Sequence, residues 1–263
     1  MNNEPLELAR RQPAGPGGRN PRPGEEAERA VLMIDPFPGE TGFTLEHEAP
    51  ADLFGLFIVL FSAMKNQSRF KPDELMLAAH SDNYSRFMIA PKRGDAAHPL
   101  ACGGLGGFGG FLEHAFRSHD FFLGRRNAQR FLKRHFVLPE NNPLFAEGWS
   151  DALKEAHCVR APDGGAERRE GQRLLPIIPV VGAAGEECMA PEWPRYSTAE
   201  LDGLRKSVER RAGKVMQGLV DQYFDNVLIR QGVRLLVFFK KNELARWVAA
   251  TAAADLQKMG LMR

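Results

Sequence analysis

Much of what this sequence says comes from what it lacks. Its three cysteines, Cys102, Cys158 and Cys188, are odd in number and far apart. They give neither a disulfide framework nor CxxC metal spacing, and fit a reducing compartment. A dominant charge is missing as well: 35 Lys+Arg stand against 33 Asp+Glu. No global field therefore draws the chain to nucleic acid or to an acidic partner. Nor is there a long hydrophobic run. The longest, Leu53 to Met64, has 12 residues including Gly55 and Ser62, against about 20 needed to cross a bilayer, and reads as a buried helix. The start, MNNEPLELARRQ, has no apolar h-region of the secretory type. There is no HExxH, no GK[ST] and no internal repeat, and no cofactor or metal is expected. What remains is an ordinary globular balance, 43% hydrophobic and 26% charged, long enough for a sizeable core.

The pattern along the chain is mixed α/β with helix outweighing strand. Eight of the twelve residues from Pro13 to Gly24 are Pro or Gly, which makes that stretch a loop. Ala30 to Ile34 reads as a buried strand closed by Asp35-Pro36-Phe37-Pro38, and Tyr84 to Ala90 as another closed by Pro91. Helices are expected over 52–70, over 111–117 with Phe111, Leu112, Ala115 and Phe116 at core spacing, and over 124–136. Leu174 to Val181 is strand-like, and its two prolines point to an edge position. Ser197-Thr-Ala-Glu200 matches a capping box and opens a long helix. Arg234 to Phe239 reads as a short strand, and Asn242 to Met259 as a final helix.

Several motifs invite a chemical reading. Gly104, Gly106 and Gly109 satisfy GxGxxG, but that fingerprint needs a strand immediately before it, and Pro99 stands there. Close backbone packing is the better account. Gly148-Trp-Ser150-Asp-Ala152 approaches a nucleophile elbow without its last Gly, whereas Ser150 is well placed to cap a helix from Asp151 to His157. Asp163-Gly-Gly165 reads as a tight turn. The seven histidines show no ligand spacing. On the helix from Gly124, Arg126, Arg130, Lys133 and Arg134 share one face, a stripe that could meet anionic headgroups or simply be solvated. Arg125 falls on the apolar flank, where a buried pairing with Asp120 is expected.

Taken together, certain blocks resemble bacterial patatin-like phospholipases. They are Asn2-Asn3-Glu4-Pro5, Val31 to Pro38, Asn66 to Lys71, Arg86 to Pro91, Gly107 to Phe111, His119-Asp120 through Gln129, and Leu175 to Pro179. The resemblance runs in order from the first residues to Trp193-Pro194. It implies a lipid acyl hydrolase with a Ser–Asp dyad, the Ser in a GxSxG elbow and the Asp in a DGG or DGA motif.

Neither part matches a position here, so no catalytic residue is assigned. In the family the Asp motif comes just before the Asn-Glu-Pro stretch, so the resemblance implies that the sequence begins shortly after it. Residues 1–38 would be the end of the patatin α/β domain, and 39–263 a mainly helical extension. The motif residues placed beside the site are Asn3, Glu4, Arg86, His119, Asp120 and Arg125. Val31 to Ile34 is then expected to lack strand neighbours, leaving an isolated chain unstable.

Hydrolysis would belong to the whole protein, with a lipid or membrane surface and a separate N-terminal catalytic part as partners. The location would be cytoplasmic or peripheral to a membrane. The alternatives are a non-enzymatic binding protein using the Arg126, Arg130, Lys133 and Arg134 face, and a serine hydrolase using Ser150.

Overall fold

The structure is a computed structural model and describes residues 9, 20–35, 82–146, 148–189, 191–223 and 227–263. The expected helix over 52–70, the Asn66 to Lys71 block, Asn3 and Glu4 lie outside these residues. The described elements run β1 (Val31–Ile34), β2 (Arg86–Ile89), α1 (His114–Arg134), β3 (Val137–Pro139), α2 (Asp151–His157), β4 (Arg168–Arg169), β5 (Gln172–Pro176), α3 (Thr198–Tyr223) and α4 (Val227–Lys258). Two short sheets sit among more extensive helices, a mixed α/β chain dominated by helix. No described helix is long and apolar enough to cross a membrane.

The chain divides into two compact units. One comprises the described residues up to Pro91 together with Gly124–Cys188, and the other Lys92–Leu123 with Met189–Arg263. In the first unit β1 does not lack neighbours: it pairs in parallel with β2, Val31 opposite Arg86 through Ile34 opposite Ile89. Val31 and Met33 turn inward, while Leu32 and Ile34 stay exposed, Ile34 at 70%. The second sheet has the order β3-β5-β4, antiparallel throughout.

β5 is therefore central, contrary to the edge position its prolines suggested. Pro176 ends the strand opposite Val137, where its missing N–H interrupts nothing, and Ile177 N donates to Phe136 O instead, at 3.0 Å. Leu174 and Leu175 are fully buried with Phe145, Val137 and Leu138. Glu170 and Gly171, with φ of +50° and +81°, form the two-residue turn between β4 and β5, a geometry that keeps the strands' twist.

Polar groups lock this unit together. Arg173 grips Glu140 at 2.7 Å through Nε and at 2.6 Å through Nη2. That bond holds the Glu140 carboxyl below its usual range. Gly24 admits no side chain, because a Cβ there would lie 2.4 Å from Pro139 Cδ.

In the second unit Ala101, Phe116, Tyr196, Leu256, Met259 and Leu261 form the core, and α3 packs along α4. The capping box at the start of α3 forms as its residue types require. Ser197 Oγ accepts from Glu200 N at 3.2 Å, and Glu200 Oε2 accepts from Ser197 N at 2.5 Å. Residues 234–239 are not a strand; they lie inside α4. A short apolar run has no periodicity of its own to separate strand from buried helix, and here the long helical context decides.

Two further corrections concern α1. The segments expected as separate helices over 111–117 and 124–136 form one helix, entered at His114. Phe111 lies outside it and is 83% exposed, whereas Phe116 is fully buried. Gly124 does not break the helix, although a helix-interior glycine costs about 0.5–1 kcal/mol relative to alanine. A Cβ at Gly124 would meet open space. Gly124→Ala is accordingly expected to stabilise the chain by about 0.5–1 kcal/mol, read as a higher denaturation midpoint in urea.

Candidate functional site

The glycine-rich segment folds as short helical turns at Ala101–Gly103, Gly104–Gly107 and Gly109–Phe111. Turns this short leave their first N–H groups without internal acceptors. Neither Leu100 nor Gly103, at the N-caps of the first two, supplies a side-chain bond. Two distant carboxylates do so instead. Asp120, on α1, accepts from Ala101 N at 2.8 Å through Oδ1 and from Cys102 N at 2.7 Å through Oδ2. Asp255, on α4, accepts from Leu105 N at 2.5 Å. Leu105 needs this hold, since its φ of +55° is a left-handed conformation that costs a non-glycine residue about 1–2 kcal/mol.

This settles what the glycines are for. Gly109 and Gly110 pass so close to Ala101, Cys102 and Arg117 that a Cβ at Gly110 would lie 2.8 Å from Cys102 Sγ. Arg117 donates to Gly110 O. The N–H groups a pyrophosphate would need are already filled by carboxylates, which would also repel it. The segment is a tightly packed corner.

His119 completes the arrangement. It is buried at 3% exposure, its Nδ1 lies 2.7 Å from Asp120 Oδ1, and its ring meets Trp193 edge-on at 4.9 Å. Arg93 lies over Trp193 at 3.7 Å. An ionised carboxylate only accepts, so the bond places the His119 proton on Nδ1. Burial raises the Asp120 pKa, but bonds from His119, Cys102 and Ala101 outweigh it, leaving the carboxyl below its ordinary value. The Cys102 thiol is pushed up to about 12, first by burial and then by Asp120.

A carboxylate orienting a histidine is two-thirds of a hydrolytic triad. The third part is missing here: His119 Nε2 is buried and has no hydrogen-bond partner among the described residues. The pair acts as a clamp on the Ala101–Cys102 backbone. Residue types alone did not reveal Cys102, Asp255, Arg93 or Trp193 as members of this cluster, because nothing local marks a residue that caps a turn 150 positions away.

The remaining sequence candidates scatter. Ser150 Oγ accepts from Leu153 N at 3.3 Å as the cap of α2, and Asp163 Oδ1 accepts from Gly165 N at 2.9 Å in a tight turn. Arg86 is buried on β2. Arg125 is exposed and is not the partner of Asp120. The basic stripe is divided by its surroundings. Arg126 is half-buried, with Nε lacking a hydrogen-bond partner among the described residues. Lys133 donates to Gly185 O at 3.2 Å, beside Gln129, which holds Ala184 O at 2.7 Å. Arg130 and Arg134 remain exposed. Among the described residues no three His, Cys, Asp or Glu side chains come together to hold a metal.

No protein-family model and no solved structure matches the chain. It is 33% identical over 281 aligned positions to a protein of Sinorhizobium fredii (strain NBRC 101917 / NGR234) that bears the name Uncharacterized protein y4iI. The alignment takes in 97% of this chain and 38% of that protein. The chain thus spans less than two-fifths of the length of the curated relative it matches.

Proposed function

We propose that the chain is the C-terminal part of a patatin-like lipid acyl hydrolase, whose ester-cleaving dyad lies in a longer protein. The observation that carries this reading is that the resembling blocks hold the fold together, joined to one another or to the segments beside them. The block from Val31 pairs strand to strand with the block from Arg86. Asp120 of the His119-Asp120 block fastens Ala101 and Cys102, just ahead of the Gly107 to Phe111 block. Leu175 and Pro176 pair with β3. Residues that carry a family's fold are expected to meet in this way, while Ser150 and Asp163 are spent on a cap and a turn.

In this reading the chain supplies scaffold beside the hydrolytic centre. A base and backbone donors for the oxyanion come from elsewhere in the protein. The test is the native product detected with an antibody to the end of α4. The expected product is much larger than 29.3 kDa, cleaves a lipid ester and is labelled by a fluorophosphonate, while the 263-residue chain alone does neither. A native 29.3 kDa product that turns over lipid ester and takes the label would overturn the proposal.

A further inference from the structure

Basic side chains that the sequence arranged only as a stripe converge with others in space. α1 ends at Arg134 and α2 at His157. Their last turns, with the chain after α2, border an open pocket of about 240 Å³. Lys133, Arg134, His157 and Arg160 line it, and among the described residues no carboxylate does. The carbonyl end of a helix attracts cations. That accounts for Arg160, whose Nη2 donates to Glu155 O at 2.8 Å, but not for Arg134, because the backbone serves the neighbouring carbonyls of both last turns. Phe131 O accepts from His135 N and Phe136 N at 2.8 and 2.9 Å, and Lys154 O accepts from Cys158 N at 2.9 Å.

The cations differ in how firmly they are held. Arg160 is fixed by Glu155 at 2.9 Å, and Lys133 spends one of its three donors on Gly185 O. Arg134 has no ion-pair partner among the described residues, and its guanidinium keeps its planar fork. Ala156, Val159 and Val180 add apolar wall.

The volume exceeds the ~10–15 Å³ that one water needs and falls short of the ~300–1,000 Å³ of sites for drug-sized ligands. A small anion fits, and an acyl chain does not. A guanidinium fork beside an ammonium matches the oxygens of a tetrahedral dianion. We propose that this pocket binds a phosphate monoester, free in solution or carried as a lipid headgroup. The inference does not depend on the hydrolase reading, since a phosphate can be held whether or not an ester is cleaved.

The whole chain is titrated calorimetrically with inorganic phosphate and with glycerol phosphate at low salt. In parallel it is sedimented with phosphatidylcholine vesicles, with and without phosphatidate. The expected result is saturable binding of a soluble phosphate with Kd at or below about 1 mM, or sedimentation that requires phosphatidate. The first outcome assigns the site to a free ligand and the second to a headgroup.

Either binding should weaken at least tenfold in Arg134→Glu. It should change less than twofold in Arg130→Glu, the same charge reversal on the same helix but outside the pocket. Arg134→Gln should lose an intermediate amount, and it carries the test if the Glu variant does not give the wild-type thermal transition. Equal weakening by the Arg130 and Arg134 reversals would show general screening and overturn the proposal. So would the absence of saturable binding in both arms.

Discussion

Asp120→Ala is expected to destabilise the chain by about 3–4 kcal/mol. Hydrogen bonds to a charged partner contribute about 1.5–3 kcal/mol each, and Asp120 accepts from Ala101 N, Cys102 N and His119 Nδ1. Its loss also leaves the amide of Ala101, a fully buried residue, without an acceptor. Asp120→Asn keeps one carbonyl and should cost less, about 2–3 kcal/mol.

The pH dependence follows from the direction of the shift. The folded carboxyl lies below its ordinary pKa, so its contribution is complete above the unfolded value near 3.9. It disappears as pH falls through the folded pKa. The gap between wild type and Asp120→Asn should therefore be full at pH 7 and narrow below about pH 4. Urea unfolding measures the cost. Hydrogen exchange at the amides of Ala101 and Cys102 locates it, and unchanged exchange there would refute the clamp.

Asn142→Asp is expected to be equally severe, costing about 3–5 kcal/mol. Asn142 is 2% exposed. Its Nδ2 donates to Gly24 O at 2.6 Å and to Ala27 O at 3.0 Å, while Oδ1 accepts from Leu144 N at 2.9 Å. A carboxylate of the same shape keeps the last bond and turns the first two into oxygen facing oxygen, in a place where charge is poorly solvated. Asn142→Ala loses all three bonds and should cost about 3 kcal/mol. Both variants should free the segment that carries residues 24 and 27, so tryptic cleavage after the exposed Arg29 should accelerate at least tenfold. Wild-type cleavage rates with a normal unfolding midpoint would count against this role.

These two residues also mark what the sequence can and cannot disclose. The Ser150 and Ser197 caps and the Asp163 turn are legible from the sequence, and the bond from Asn142 Oδ1 to Leu144 N is of the same local kind. In each, a short polar side chain bonds its own backbone within a few positions. The other end of Asn142, bonded 118 residues back at Gly24, leaves no local trace. The same holds for Asp120 across 19 positions and Asp255 across 150.

The strand misreadings have related causes. A proline argues against a central strand except at its last residue, which is where Pro176 stands. Residues 234–239 offered a short apolar run that only the surrounding helix could assign. In the basic stripe, nothing local marks that a loop engages Lys133 or that Arg134 lines one pocket with Arg160 and His157.

The thiol of Cys102 gives the clamp a chemical consequence. Burial first and then Asp120 push its pKa up to about 12, so the thiolate is scarcer at neutral pH than in an ordinary cysteine. Oxidants and alkylating reagents attack the thiolate, so this sulfur is expected to react slowly while the corner stays closed over it and Asp120 stays seated. The glycine corner therefore carries its own indicator: modification at Cys102 would record how often the corner opens, and would then hold it open by filling the space that Gly110 leaves.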